Sequence, residues 1–302
     1  MKVTVKAPAK INLSLDVLGK RPDGYHNIST IMQTVSLYDT VTVTDSDSGE
    51  VTVSCGYEGV PNDESNIAVK AAYRFFDYCK MPQKGVHIEI DKHIPTQAGL
   101  AGGSSDGAAV IFALNLLFSA SLSPADMRAI AERVGADVPF CVEGGTKLCT
   151  GTGTSMQKLP KFRCSDIVIC KPDAVSVSTA EAYQKVDALA PHPCYTDEMV
   201  KALYSRDMFM ISTTIFNDFE LALQIPEVNE IKKIMLKNKA RGAGMSGSGS
   251  AVFAIFTSTS KAKKCFDELK QTYPQTFLCK PVDTGCSVDF FTSRFSGRVL
   301  NV

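Results

Sequence analysis

The sequence predicts an α+β protein in two parts, and three observations carry that expectation. The chain has 302 residues, which at ~150 residues per domain leaves two domains or one large α/β unit. Up to residue 60 it reads as strands of alternating apolar and polar residues. Beyond residue 160 helical periods alternate with short apolar runs. The apolar fraction is 44% and the charged fraction 21%, ordinary for a folded chain and enough for a substantial core.

The elements follow in order. Alternation predicts strands over 3–5, 11–15, 41–44 and 51–53. Arg21, Pro22, Asp23 and Gly24 form a turn, with Pro suited to its second position. The period then changes: Ile67, Ala71, Ala72, Phe75, Phe76 and Cys79 share one face of a helix over 66–79. Val86, Ile88 and Ile90 alternate as a strand. A Gly-rich loop at 99–105 opens an apolar helix running to about Ala120. Ser123, Pro124 and Asp126 are the N-cap, N1 and N3 residues of the next helix, which ends at Gly135. Residues 144–153 carry a strand and turn. A soft boundary between 155 and 172 divides the chain into 1–160 and 161–302. In the second part helices are expected over 179–186, 197–204, 208–219, 227–239 and 261–273, and strands over 167–170, 251–256 and 277–281.

Charge and composition exclude several functions. Lys plus Arg and Asp plus Glu both number 32, so nothing draws the chain generally to nucleic acid or an anionic membrane. Any anion site is therefore local. The most apolar stretch, 108–118, is interrupted by Asn115 and falls short of the ~18 residues that span a bilayer. The N-terminus lacks the apolar run of a signal peptide. None of the ten cysteines forms C-x-x-C, and no His stands at zinc-ligand spacing from them. They read as small buried hydrophobes in a reducing cytoplasm.

Four segments carry chemistry. Pro95-Thr96-Gln97-Ala98-Gly99-Leu100-Ala101-Gly102-Gly103-Ser104-Ser105-Asp106 follows a strand and opens a helix. Glycines let the backbone approach a ligand, and free N–H groups of a first helical turn favour an anion. Ser104 and Ser105 add hydroxyls that can reach phosphate or its Mg²⁺. The same residues also suit a Gly-rich turn with a Ser N-cap, and no Gly-Lys-Ser/Thr of a Walker A loop is present. Residues 242–250 formally match G-x-G-x-x-G, but a helix precedes and a strand follows, the reverse of a dinucleotide fingerprint. Small residues there still permit close approach. Lys10, in the segment Ala7-Pro8-Ala9-Lys10-Ile11-Asn12, stands in an apolar strand; it is either paired or an edge lysine reaching water. Asp137 stands between apolar residues just after a helix, a position that by itself favours a cap.

Together, and in this order, these segments resemble the GHMP kinase superfamily. The matching stretches are APAKINLSLDVLGKRPDGYH at 7–26, IPTQAGLAGGSSDGAA at 94–109, GADVPF at 135–140, KPDAVSVSTAEAY at 171–183 and GAGMSGSGSAVFAIF at 242–256. GKRPDGYH and GADVPF narrow the resemblance to the branch that phosphorylates a cytidine diphosphate-linked methylerythritol in the non-mevalonate isoprenoid pathway. It implies an N-terminal ribosomal-protein-S5-like domain and a C-terminal ferredoxin-like α/β domain, with the site between them and ATP and Mg²⁺ as cofactors.

The resemblance also implies roles. Pro95, Gly99, Leu100, Ala101, Gly102, Gly103, Ser104 and Ser105 would wrap the ATP phosphates, with Asn66 near the adenine and Lys92 flanking it. Asp137 would be the general base, with Lys10 beside it. Tyr25 and Tyr183 would stack on the cytosine, His26 would bond its edge, and Asn12 and Thr179 would hold the diphosphate–erythritol. The partner is thus a small molecule, with no nucleic acid or membrane. No Mg²⁺-binding carboxylate stands out, and oligomeric state is not specified. A homoserine- or mevalonate-type kinase, which needs no Tyr25 and His26 pair, and a silent nucleotide-binding paralogue are the alternatives. Four residues depart from the family pattern: Ala101 for glycine, Gly107 for alanine, Thr154 for an acid and Met32 for an aromatic. Ala101 costs little if its φ is negative, and Gly107 weakens the helix by up to ~1 kcal/mol.

Overall fold

The computed structural model describes residues 1–173, 175 and 177–292; Ala174 and Ser176 of the 171–183 segment lie outside the described residues. Strands β1 (Lys2–Lys20) and β2 (His26–Ser46) form a long hairpin. The expected turn closes it: Arg21 N–H donates to Tyr25 O at 2.7 Å, and Gly24 takes φ +88°. The short strands expected at 3–5 and 11–15 are one continuous strand. Its first residues alternate, but Ala7 to Asp16 are buried on both faces, where period 2 disappears.

Next come β3 (Val51–Cys55), α1 (Ile67–Tyr78), β4 (Gly85–Asp91), α2 (Gly102–Leu117), α3 (Pro124–Glu132), α4 (Val138–Glu143), β5 (Thr146–Gly151) and β6 (Ser155–Lys158). Asn66 caps α1 by accepting from Ala68 N–H, and Ser123 with Asp126 forms the reciprocal box that starts α3. Helix α2 starts at Gly102, inside the segment expected to be loop, and is buried nearly all round against α1, β1 and β2. Gly107 is where these helices touch: a Cβ there would stand 2.9 Å from Ile67 Cγ2. The helix-weakening glycine thus buys close packing.

The remainder is β7 (Asp166–Cys170), α5 (Thr179–Val186), α6 (Tyr195–Ser205), α7 (Met208–Thr213), β8 (Phe216–Asn217), α8 (Asp218–Leu223), α9 (Pro226–Lys237), β9 (Gly242–Met245), β10 (Val252–Phe256), α10 (Thr259–Lys270), β11 (Thr276–Cys279) and β12 (Ser287–Thr292). The helix expected over 208–219 is broken. Asn217 leaves it to pair with β1, donates to Met245 O and Gly247 O (2.8 Å each), and caps α8. Those partners are distant in sequence, so helical periodicity cannot show them.

Two sheets result. The first has the order β12-β1-β2-β4-β3, with β5 on β2, β6 on β5 and β8 on β1. The second is antiparallel, β11-β7-β10-β9. Val252, Ala254 and Phe256 pack with α9 and α10, while Phe253 and Ile255 pack with Ile11 and Leu13 of β1 and with α6. The middle of β1 is therefore shared between both parts, and it carries Lys10 and Asn12. Among the described residues no helix is long and apolar enough to cross a membrane. Seven of the ten free cysteines are buried and three are half-buried.

Candidate active site

A cleft of about 640 Å³ opens where β1, the 95–104 loop and the β9–β10 connection meet. Its wall includes Lys10, Asn12, Asn66, Lys92, Asp137, Thr179, Tyr183 and Gly247 to Gly249. Strand β1 docks on the loop through Lys10 N–H, which donates to Leu100 O at 3.1 Å. The second glycine cluster packs directly on the loop. A Cβ on Gly99 would lie 1.9 Å from Ser246 O, and Ser246 Oγ donates to Gly99 O at 3.0 Å.

Lys10 is buried rather than reaching water. Its Nζ donates to Asn12 Oδ1 at 2.8 Å and lies 3.8 Å from Asp137 Oδ2. Asp137 does occupy the N-cap position of α4, but its side chain makes no capping bond, so the carboxylate is left facing Lys10. Asn12 has its amide spent within the protein: Oδ1 also accepts from Gly247 N–H at 3.0 Å and Nδ2 donates to Thr30 Oγ1 at 2.8 Å. It aims Lys10 more than it offers a free group to a ligand.

The loop departs from expectation at two residues. Ala101 has φ +57°, not a negative value, because it is the residue that turns the chain into α2. Its methyl therefore carries a left-handed strain of roughly 1–2 kcal/mol. Ser105 does not face the cleft: it is fully buried and its Oγ donates to Pro8 O at 2.8 Å. One residue of helix rotates a side chain by a quarter turn or so, which puts Ser104 on the cleft wall and Ser105 behind it. Pro95, Gly99, Leu100, Gly102 and Gly103 line the cleft. Lys92 also reaches it, yet its Nζ is held by Asp39 and, at 2.7 Å, by Asp106 Oδ2. Burial works to lower its pKa, but the Asp106 and Asp39 charges outweigh that and raise it.

The residues expected on the acceptor side are less gathered. Thr179 and Tyr183 line the cleft, and Thr179 Oγ1 lies 3.2 Å from Ser248 Oγ. His26 lies behind Tyr183, ring on ring at 4.3 Å. Tyr25, in the hairpin turn, is 67% exposed and outside the cleft wall. Met32 is on the wall, and Thr154 sits in the β5–β6 turn with its Oγ1 3.4 Å from Thr152 Oγ1. Asn66 is on the wall too, with its amide engaged by Ala68 N–H and Pro61 O.

Sequence reading missed Asp39, Asp106, Asp187 and Phe219. Asp187 Oδ1 accepts from His26 Nε2 at 2.8 Å across a separation of 161 residues, and the Phe219 edge meets the Tyr183 ring at 4.9 Å. Only Asp106, inside the loop motif, had a local signal. The cysteines near the cleft are inert: burial pushes Cys149 up to about 12 and Cys141 well above the ordinary thiol value.

Comparison with known proteins fits this geometry. Residues 66–145 match the family model of the GHMP kinases N terminal domain and 199–275 that of the GHMP kinases C terminal. A relative from Thermoanaerobacter pseudethanolicus, named 4-diphosphocytidyl-2-C-methyl-D-erythritol kinase, is 43% identical over 94% of this chain and 98% of its own. The chain belongs to the GHMP kinase family. A Clostridium acetobutylicum protein of the same name is 39% identical over 93% of this chain and 100% of its own. Among solved structures, a 4-(cytidine 5'-diphospho)-2C-methyl-D-erythritol kinase superposes with a TM-score of 0.77 at 30% identity, covering 94% of this chain and all of that one. Homoserine kinase from Cytophaga hutchinsonii superposes at 0.79 with 23% identity, over 95% of this chain and 97% of its own, a likeness of fold. This GHMP kinase thus combines the expected mixed helix–strand, two-part fold with the loop and cleft described above.

Proposed function

We infer that the protein transfers the terminal phosphoryl group of ATP to the 2-hydroxyl of 4-diphosphocytidyl-2-C-methyl-D-erythritol. The observation that carries this is the meeting of Lys10 and Asp137, 3.8 Å apart, on the same cleft wall as the Gly-rich loop and Thr179. Relatives with that activity in their names are about 40% identical over nearly the whole chain. The homoserine and mevalonate kinases share fold at 23% and 16% identity, so those acceptors are not favoured.

The donor set suits a polyphosphate. The N–H groups of Gly102, Gly103 and Ser104 belong to the first turn of α2 and have no partner within the helix; the dipole of this long helix adds to them. The Ser104 hydroxyl lies on the same wall and would serve Mg²⁺ arriving on the phosphates. Among the described residues no three acidic, His or Cys side chains gather for a metal, which fits an ion that keeps its waters and leans on phosphate oxygens. Such an ion supplies charge neutralisation on the phosphates.

A tertiary hydroxyl is a poor nucleophile, so alignment and charge dominate the reaction. Asp137 accepts the hydroxyl proton as the new O–P bond forms. Lys10, fixed by Asn12, faces the charge that develops between them. Asn66 and Lys92 flank the nucleotide. On the acceptor side Thr179, beside Ser248, holds the diphosphate region. His26, whose Nε2 is committed to Asp187, offers Nδ1 to the base edge. Tyr25 closes over the base from its turn, and Tyr183 supplies an aromatic face.

The division into 1–160 and 161–302 is part of the same proposal, supported by the second sheet starting at Asp166, with β12 returning to the first. The ten free thiols support the cytoplasm as its compartment. The test is ADP release on adding the cytidyl acceptor to the purified protein. Turnover with it, and none with homoserine or mevalonate, is expected. Protein that binds ATP but leaves the cytidyl acceptor untouched sinks the assignment.

A further inference from the structure

Between α5 and α6 the chain passes through Ala190-Pro191-His192-Pro193. The two prolines lack a backbone donor, and His192 has the only polar side chain of the four. A cavity of about 310 Å³ lies between this stretch and residues 16–19 of β1, with Asp16, Val17, Asp187, Leu189 and His192 among its walls. His192 ties the stretch down. Its Nδ1 lies 2.9 Å from Pro193 O, and its Nε2 lies 2.6 Å from Asp218 Oδ1 at the start of α8. Asp218 Oδ2 accepts from Val17 N–H at 2.6 Å. Earlier in the same connector Asp187 ends α5 and accepts from His26 Nε2 at 2.8 Å.

The proton count of this arrangement is informative. A neutral imidazole has one N–H and one lone pair. A carbonyl oxygen and an ionised carboxylate only accept. Both His192 contacts are therefore made only when the pair holds two protons, as an imidazolium facing a carboxylate. With one proton fewer, lone pair faces lone pair at one of them. We propose that His192 is a positioning residue for the cytidyl acceptor: as imidazolium it clasps the α5–α6 connector to Asp218, and so keeps Asp187 on His26 and α5, with Thr179 and Tyr183, against the cleft. Loss of the second proton opens the clasp and leaves the Gly-rich loop untouched.

The surroundings favour the charged form. The Pro193 carbonyl, Asp218 and Asp16 raise the His192 pKa above its ordinary value, over the opposing pull of burial. Burial also holds Asp218 above the ordinary carboxylate value; wherever the second proton sits, the clasp needs it. Strand β1 supplies Asp16, whose oxygens are already taken by Tyr195 N–H at 3.0 Å and Thr196 N–H at 2.8 Å. It offers His192 charge and no competing bond. From α6 comes the Tyr195 ring at 5.7 Å, and from β8 the Phe216 ring at 5.2 Å. Burial pushes the neighbouring Cys194 thiol up, so it stays neutral.

This inference rests on the acceptor-side reading of Thr179, Tyr183 and His26. A raised histidine contributes fully below the ordinary value near 6.5 and its contribution is lost as pH rises through the raised one. The experiment follows KM for the cytidyl acceptor and for ATP from pH 6 to pH 9, in wild type and His192→Gln. The chain has four histidines, so the His192 ring is also titrated individually by NMR. Acceptor KM in wild type should rise ~3–10-fold toward pH 9, the scale of a charge-assisted hydrogen bond discounted for partial exposure, and KM for ATP should not rise with it. In His192→Gln acceptor KM should already be high at pH 6 and should change less with pH. The wild-type measurements stand whether or not that variant folds. A His192 that titrates at or below the ordinary value, a flat acceptor KM in wild type, or an unchanged profile in His192→Gln overturns the inference alone. No turnover of the cytidyl acceptor at any pH would instead remove the functional reading and this inference with it.

Discussion

Replacing Gly99 by Ala tests whether the two glycine clusters work as one device. The added Cβ would come within 1.9 Å of Ser246 O and 3.2 Å of Gly249 N. Ordinary contact begins near 3.4 Å, so the loop and the β9–β10 connection must part by about 1.5 Å or distort. Gly99 also has φ +72°, worth roughly 1–2 kcal/mol against Ala. Overpacking typically adds another 1–3 kcal/mol, for about 2–5 kcal/mol in all. At ~2.1 cal/mol/K per residue, a chain of this length loses about 1.6 °C per kcal/mol, so the melting temperature should fall by about 3–8 °C. The loop is the proposed cradle of the phosphates, and a displacement near 1 Å can lower kcat/KM ~10²-fold. Gly49→Ala is the control: φ there is +75°, yet nothing lies within 4 Å of its Cβ position. Thermal melting and ADP release on both variants separate backbone strain from collision. Gly99→Ala behaving like Gly49→Ala in both assays would refute the coupling.

Three further outcomes are expected. Asp137→Asn removes the proposed proton acceptor and should lower kcat by ~10²–10⁴ with ATP affinity retained; near-wild-type turnover would take Asp137 out of the chemistry. Asp187→Asn loosens the partly exposed partner of His26 and should raise KM for the cytidyl substrate ~3–10-fold, a discounted charge-assisted hydrogen bond, with kcat and KM for ATP little changed. An unaltered KM would leave Asp187 without a positioning role. Because Asp106 is raised to about 7 by burial, its contribution to stability is full below the ordinary carboxylate range near 4 and is lost as pH rises through 7. The melting temperature of Asp106→Asn relative to wild type should therefore climb from pH 6 to pH 8 without ligand, and a constant offset would contradict this.

Local signals account for what was legible. The cap at Ser123, the turn at 21–24 and the helix at 179–186 each depend on neighbours within a few residues. Lys10 stood out because a buried lysine in a strand must be paired, and the loop stood out by its glycines. The aspartates that hold Lys92 and His26 gave no such signal. Asp39 lies 53 residues from Lys92 and Asp187 161 residues from His26, and a lone aspartate in a strand or past a helix end is unremarkable in itself. The 208–219 helix failed for a related reason: three long-range bonds of Asn217 outweigh local helical preference.

The chain alone determined most of the elements and the loop that can receive an anion, because backbone propensity and glycine freedom are properties of short segments; the meeting of Lys10 with Asp137 was implied by the family resemblance, since the local residues by themselves favoured a cap for Asp137. Tertiary structure decided which side chains are available. It turned Ser105 inward and Ser104 outward, left the Asp137 carboxylate free of its capping duty, committed Asn12 to Lys10, and put two carboxylates on one buried ammonium. Availability depends on what else lies within a few ångströms, and the segments that supply those neighbours are far away along the chain.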